Sequence, residues 1–234
     1  MNLKPADIAR RVAQDIPGGS YVNLGIGMPM LVVDWIAEDR EIVIHSDNGI
    51  LGMGPAPDHG RIDMDIIDVA KAPVTMSPGG AYFDHVDSYA MIRGGHIDIA
   101  IMGAYQVSSC GDIANWLIPG PKPPAVGGAM DLVAGVNQVW VMLSSLLDKQ
   151  GQPKLMERCT LPASGLACVD RIYADVAVID VTDNGLLVTD ILHGLTQGEL
   201  RSITAAPLEF SDGCRVLRPP EPLADPRAAT VKSQ

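Results

Sequence analysis

The chain has 234 residues, 47% of them apolar and 19% charged, and a formal net charge of −11. That is enough apolar material for a folded core of α/β size, and it excludes a disordered or fibrous chain. The acidic balance argues against a nucleic-acid or anionic-membrane partner, and no uninterrupted apolar run approaches a membrane span.

The N-terminus, Met1-Asn2-Leu3-Lys4-Pro5, begins no signal peptide, so a cytoplasmic location is expected. Ile8, Val12 and Ile16 recur every four residues with Ala9 and Ala13 beside them. This predicts an amphipathic first helix, ended by Pro17-Gly18-Gly19. Residues 21–24 read as a short strand running into Gly25-Ile26-Gly27. That loop lacks the third glycine of a dinucleotide fingerprint, because position 30 is Met30. A second helix is expected over residues 30–38 and a strand over 41–45. Further buried strands are expected over residues 97–102, 139–143 and 176–181, with a helix opening at Gly127-Gly128 and running through Asp131-Leu132-Val133. Short apolar strands alternating with helices predict a three-layer α/β/α fold with a mostly parallel sheet. One domain over residues 1–217 is expected, followed by a Pro-rich polar tail, 218–234. Ile92, Met102, Trp116, Val139 and Val141 are candidates for the core or an interface. The cysteines Cys110, Cys159, Cys168 and Cys214 form no Cys-x-x-Cys pair and are expected to be reduced thiols.

The chemistry concentrates at His45-Ser46-Asp47-Asn48-Gly49, which follows the apolar run Ile42-Val43-Ile44. A buried strand there delivers a carboxylate into a glycine turn, a position at which an α/β protein can place a nucleophile or base. Alone, Asp47 also reads as a turn former. Asn23 and Gly127-Gly128 also lie just after predicted strands or in glycine turns, so all three can converge at the carboxyl edge of one sheet. An Asn amide and a glycine N–H can then act as donors to an oxyanion beside the Asp47 carboxylate. His45 lies two residues before Asp47, on the same strand face, and reads best as a structural histidine bonded to a backbone carbonyl. The remaining histidines make no metal-ligand spacing, and no serine acyl-transfer motif is present.

Several segments resemble the B subunit of family I coenzyme A transferases. They are Val22 to Pro29, Asp47 to Pro55, Met91 to Asp98, Gln106-Val107, Ala114 to Trp116, Gly127 to Leu132 and Arg158 to Pro162. The resemblance implies an obligate A subunit and a ping-pong transfer of CoA between a 3-oxoacyl-CoA and a carboxylic acid. In that family a glutamate attacks the thioester, giving a mixed anhydride and then an enzyme-CoA thioester. Asp47 stands at that position, and Asn23 and Gly128 match the oxyanion-hole positions. Gly25, Gly27, Asn48, Gly49 and Gly127 are implied as substrate-binding. Coenzyme A is a substrate, so no cofactor or metal is expected. Arg93 is a candidate for the far carboxylate of a dicarboxylic substrate, and a structural ion pair is its other reading.

The chain departs from the family pattern at Asp47, Ala125, Ser144-Ser145 and Leu192-His193-Gly194. Asp47 withdraws its carboxylate by roughly one C–C bond, about 1.5 Å. Misplacement by about 1 Å can cost about a hundredfold in rate. Asp47 as a covalent nucleophile is the first reading. A hydrolase or lyase with Asp47 as general base to a water is the alternative, because the same donors serve both tetrahedral intermediates. A non-catalytic protein that only binds CoA esters is the third.

Overall fold

The computed structural model describes residues 2–120, 124 and 126–219. Ala125 and residues 220–234 of the tail lie outside the described residues.

Helix α1 (Pro5–Asp15) buries Ile8, Ala9, Val12 and Ala13, the stripe read from the sequence. Strand β1 (Tyr21–Leu24) follows. The expected second helix is instead a 3-10 helix, Met28–Trp35, with bonds such as Met30 N–H to Gly27 O at 3.1 Å. Pro29 at its start and the β-branched pair Val32-Val33 disfavour a longer α-helical run. Strand β2 (Val43–Ser46) turns back through Asp47-Asn48-Gly49 into β3 (Ile50–Met53), which pairs with β4 (Met76–Tyr82). Helix α2 (His85–Arg93) leads to β5 (Ile99–Gly103). Three short strands form a separate small sheet, β6 (Gln106–Ser108), β7 (Ile113–Ala114) and, further on, β9 (Leu155–Met156). Between them come α3 (Ala129–Gly135) and β8 (Gln138–Leu143). The chain continues with β10 (Arg171–Ala174), β11 (Ala177–Thr182), β12 (Gly185–Leu192), α4 (Gln197–Ser202) and β13 (Leu208–Leu217).

The main sheet has ten strands in the order β13-β12-β11-β10-β8-β5-β1-β2-β3-β4. From β10 to β2 every neighbour is parallel, so the sheet is mostly parallel, with flanking helices: α1 against the 3-10 helix and α2 against α3. The pairs β2–β3, β3–β4, β10–β11 and β11–β12 are antiparallel. Central strands carry unbroken apolar runs because both faces are covered, as in Val139 to Leu143. Strand β12 alternates buried with half-buried residues, which fits burial of one face. Ile92, Met102, Val139 and Val141 are buried; Trp116 is half-buried, its indole N–H given to Ala163 O at 3.2 Å.

The strand order reverses at β1. The chain steps from β1 to β2 on one side, then crosses to β5 and β8 on the other. A crevice opens beyond the carboxyl ends of the strands at such a switch point.

Candidate active site

A cavity of about 550 Å³ occupies that crevice. It is lined from the ends of four adjacent parallel strands: Asn23 to Gly25 at the end of β1, Asp47 after β2, Met102 to Ala104 at the end of β5, and Met142 to Ser144 at the end of β8. Gly127 and Gly128 close one side. The four strands end together because they run parallel in register, with Asn23 opposite both His45 and Ala100. Asn23, Asp47 and Gly128 therefore share one cavity.

Asp47 is half-buried at the tip of the β2–β3 hairpin. The turn closes by Gly49 N–H to Ser46 O at 3.0 Å. Gly49 has φ +116°, and a Cβ there would overlap Phe83 O, so glycine is required. Burial raises the Asp47 pKa; a hydrogen bond from Tyr89, the nearby His85 and local backbone N–H groups partly offset it. Tyr89 Oη donates to Asp47 Oδ2 at 3.3 Å. Burial, then the charge of Asp47, push the Tyr89 pKa up to about 12, so the hydroxyl stays a donor. Gly128 completes the cluster. A Cβ at that position would overlap the Tyr89 hydroxyl and stand 3.3 Å from Asp47 Oδ2. A larger residue there would have to push the Tyr89 ring away from Asp47.

Helix α2 was not expected from the sequence, yet it supplies three of the site's polar contacts. His85 Nδ1 lies 3.3 Å from the Asp47 carbonyl, Ser88 Oγ lies 3.1 Å from His45 Nε2, and Tyr89 holds the carboxylate. Its signals were Asp84, which accepts from Val86 N–H and Asp87 N–H as N-cap, and the stop at Gly94-Gly95. Its apolar pattern is weak: Val86 faces solvent, and Ser88 and Ile92 are its buried positions.

His45 is fully buried, and its partners differ from the expected backbone carbonyl. Nδ1 faces Asn23 Nδ2 at 3.0 Å and Nε2 faces Ser88 Oγ. The strand register places the Asn23 side chain beside it, so side-chain partners take the carbonyl's place.

The other expected binding residues divide. Gly25 and Gly127 line the cavity; Gly27, Asn48, Gly49 and Arg93 do not. Asn48 donates to Ile67 O at 2.7 Å and accepts from Ser46 Oγ at 2.6 Å, which ties down the turn. Arg93 pairs with Asp131 at 2.7 Å and lies over the Tyr89 ring, in a neighbouring groove. Of its two readings, the ion pair is what the geometry shows. Lys154, which sequence reasoning passed over, is the one cation among the described lining residues. Its backbone is pinned by Lys154 N–H to Leu146 O and by Val107 N–H to Lys154 O. Burial lowers its pKa, against the opposing pull of Asp148 and Asp175. Of the departures, Ser144 lines the cavity and Leu192-His193-Gly194 do not.

A family model described as "Coenzyme A transferase" matches residues 6–197. The chain belongs to the coenzyme A transferase family. It is 50% identical over 207 residues to the B subunit of 3-oxoadipate CoA-transferase from Pseudomonas putida, covering 88% of this chain and 96% of that one. It is 43% identical over 212 residues to human mitochondrial succinyl-CoA:3-ketoacid coenzyme A transferase 2, covering 90% of this chain but 41% of the human protein. An acyl-CoA transferase apoenzyme from Escherichia coli O157:H7 shares the fold, with a TM-score of 0.71 at 16% identity. That match covers 92% of this chain and 43% of the other. The chain is thus an enzyme of the CoA-transferase class. Among its described residues no helix is long and apolar enough to cross a membrane, and all four cysteines are free.

Proposed function

We propose that this coenzyme A transferase moves CoA between a 3-oxoacyl-CoA and a carboxylic acid, as the B subunit of a two-subunit enzyme whose A subunit completes the CoA site. The observation that carries this reading is the convergence of Asp47, Asn23 and Gly128 on one cavity at the carboxyl edge of the sheet. Asp47 is the nucleophile. An oxygen of its carboxylate attacks the thioester carbonyl, the C–S bond breaks, and CoA leaves as thiolate, giving a mixed anhydride. The thiolate then attacks the Asp47 acyl carbon, releasing the first carboxylate and leaving an Asp47–CoA thioester. A second carboxylate reverses both steps. Asn23 and the Gly128 N–H are the donors for each tetrahedral oxyanion. Lys154 supplies the cation for a substrate carboxylate that Arg93, engaged by Asp131, does not.

Support for transfer over hydrolysis comes from the relatives. The Pseudomonas and human relatives are transferases by name. The test is turnover of the chain with its A subunit on a 3-oxoacyl-CoA, with and without a carboxylate acceptor, following free thiol and new CoA ester. Ester that depends on acceptor supports transfer. Free thiol released regardless of acceptor overturns it in favour of a hydrolase.

A further inference from the structure

Tyr89 meets Asp47 from outside the acyl cavity. Asp47 lines that cavity, whereas Tyr89 lines the neighbouring groove. The Tyr89 hydroxyl is the one side-chain donor on the carboxylate among the described residues, 3.3 Å from Oδ2. Two neighbours hold its ring. The His85 ring lies 4.6 Å away and tilted, and the Arg93 guanidinium, itself fixed by Asp131, lies 5.7 Å from the ring centroid. Covalent transfer creates oxyanions on two different carbons. When Asp47 attacks the thioester, charge develops on the substrate's oxygen, inside the cavity. When the thiolate attacks the anhydride at the Asp47 carbon, charge develops on the oxygen that Asp47 keeps. A donor for the first must face the cavity, and a donor for the second must face Asp47 itself. Tyr89 is placed for the second.

We propose that Tyr89 is a further catalytic residue, the hydroxyl donor to the oxyanion on Asp47's own carboxyl oxygen as the Asp47–CoA thioester forms and discharges. The proposal rests on the reading of Asp47 as a covalent nucleophile. Oδ2, engaged by Tyr89, stays on Asp47 as the carbonyl oxygen. Oδ1 attacks the substrate and becomes the bridging oxygen of the anhydride. The thiolate sulfur then bonds to Asp47 Cγ, the carbonyl electron pair moves onto Oδ2, and the Tyr89 O–H donates to it. Collapse restores the carbonyl, breaks the Cγ–Oδ1 bond and releases Oδ1 with the first carboxylate. The hydroxyl hydrogen stays on Tyr89 throughout, so a phenol too weakly acidic to ionise suits the task. Tyr89 thus adds to the cavity donors Asn23 and Gly128. Acylation removes the Asp47 charge, the second-largest cause of the raised Tyr89 pKa, so the hydroxyl donates more strongly in the states where it acts. At 3.3 Å the bond is long in the free protein, and it tightens as charge develops on Oδ2.

The experiment uses the chain assembled with its A subunit. Incubation with acetoacetyl-CoA and desalting yields the Asp47–CoA thioester, whose discharge by succinate and by hydroxylamine is timed. Both nucleophiles attack the Asp47 carbon. In Tyr89→Phe, whose half-buried ring loses a single oxygen, both discharges are expected to slow about fivefold, the scale of one net hydrogen bond. A role confined to the ionisation of Asp47 would leave them unchanged, because the thioester has no carboxylate to titrate. Infrared spectra with 13C-labelled aspartate give a second readout. The thioester carbonyl band should stand at higher frequency in Tyr89→Phe, having lost its donor. Discharge at the wild-type rate, or an unmoved band, would overturn the role of Tyr89 while leaving the nucleophile standing. If no thioester forms in the wild type, the covalent reading of Asp47 falls and the role of Tyr89 falls with it. Should Tyr89→Phe not fold, 3-fluorotyrosine in place of Tyr89, a stronger donor of nearly the same shape, is expected to lower the band, and no shift would overturn the proposal.

Discussion

Asp47, in the turn that ends β2, and Asp190, on β12, are both carboxylates drawn out of water on the same sheet, and their surroundings differ in kind. Asp190, on β12, has a side chain 5% exposed and is met by Arg215 at 2.9 Å and Arg11 at 3.7 Å. Around it Arg11 also pairs with Asp15, and Arg171 holds Asp180 at 2.5 Å and Asp15 at 3.5 Å. The Arg171 pKa is raised, first by its hydrogen bond to Asp180. Asp47 has no arginine or lysine ion pair among the described residues; burial raises its pKa, and only a tyrosine hydroxyl, the nearby His85 and local backbone N–H groups oppose it. A buried charge matched by fixed arginines is costly to disrupt, whereas one without such a partner is costly to keep and free to react. The difference marks which end of the sheet is built for stability and which for chemistry.

The sharpest way to break this comparison is to remove each carboxylate in turn. Asp47→Asn is expected to lower transfer by at least about a thousandfold, the order seen when a reacting group is lost. It should not lower the melting temperature at pH 7. Because the folded-state pKa of Asp47 lies above its unfolded value, its ionisation opposes folding. That cost grows as pH rises between the two values and is constant above them. A lower melting temperature at pH 7 would contradict the assignment of Asp47 as an uncompensated charge.

Gly128→Ala comes next. The added Cβ displaces Tyr89 from Asp47, and about a hundredfold loss in kcat is expected from misplacement on the order of 1 Å. Steady-state kinetics beside an unchanged circular dichroism spectrum would check it. Lys154→Met is expected to raise the KM for the carboxylate about tenfold, the scale of one charge-assisted hydrogen bond, with a smaller change in kcat. Tyr89→Phe should cost less in rate. It removes a bond that holds the Asp47 pKa down, so the acidic limb of kcat/KM should move to higher pH. A pH–rate profile decides, and an unmoved limb would detach Tyr89 from the carboxylate. Asp190→Ala is the control with the smallest effect on activity. It should leave kcat within error while costing about 1–3 kcal/mol by urea unfolding, since Arg11 loses a partner in a largely buried setting and Arg215 is exposed enough to rehydrate.

Much of the candidate site could be read from the chain because three of its residues obey a local rule. Asn23 stands near the end of a strand, Asp47 follows one and Gly128 opens a helix, and strand ends in a parallel sheet gather at one edge. His85, Ser88 and Tyr89 could not be placed in the same way. Their helix shows little apolar periodicity, and its capping residue Asp84 and terminal Gly94-Gly95 were its clearest marks. Lys154 was equally silent, since the small β6–β7–β9 sheet and the Leu146 carbonyl bring it to the cavity.

By itself the amino-acid order determined the first helix, the buried central strands, the carboxylate in its glycine turn and the family. Each of these depends on residue type and near-neighbour spacing, which act over a few residues along the chain. Only the tertiary structure decided that Arg93 is spent on Asp131, that Met28–Trp35 winds as a 3-10 helix, that β3, β4 and β11 join the sheet antiparallel to their neighbours, and that Tyr89 meets Asp47 and His45 meets Asn23. Those outcomes depend on which distant segments meet, as Tyr89 and Asp47 do across 42 positions of sequence, and such contacts leave no local pattern to read.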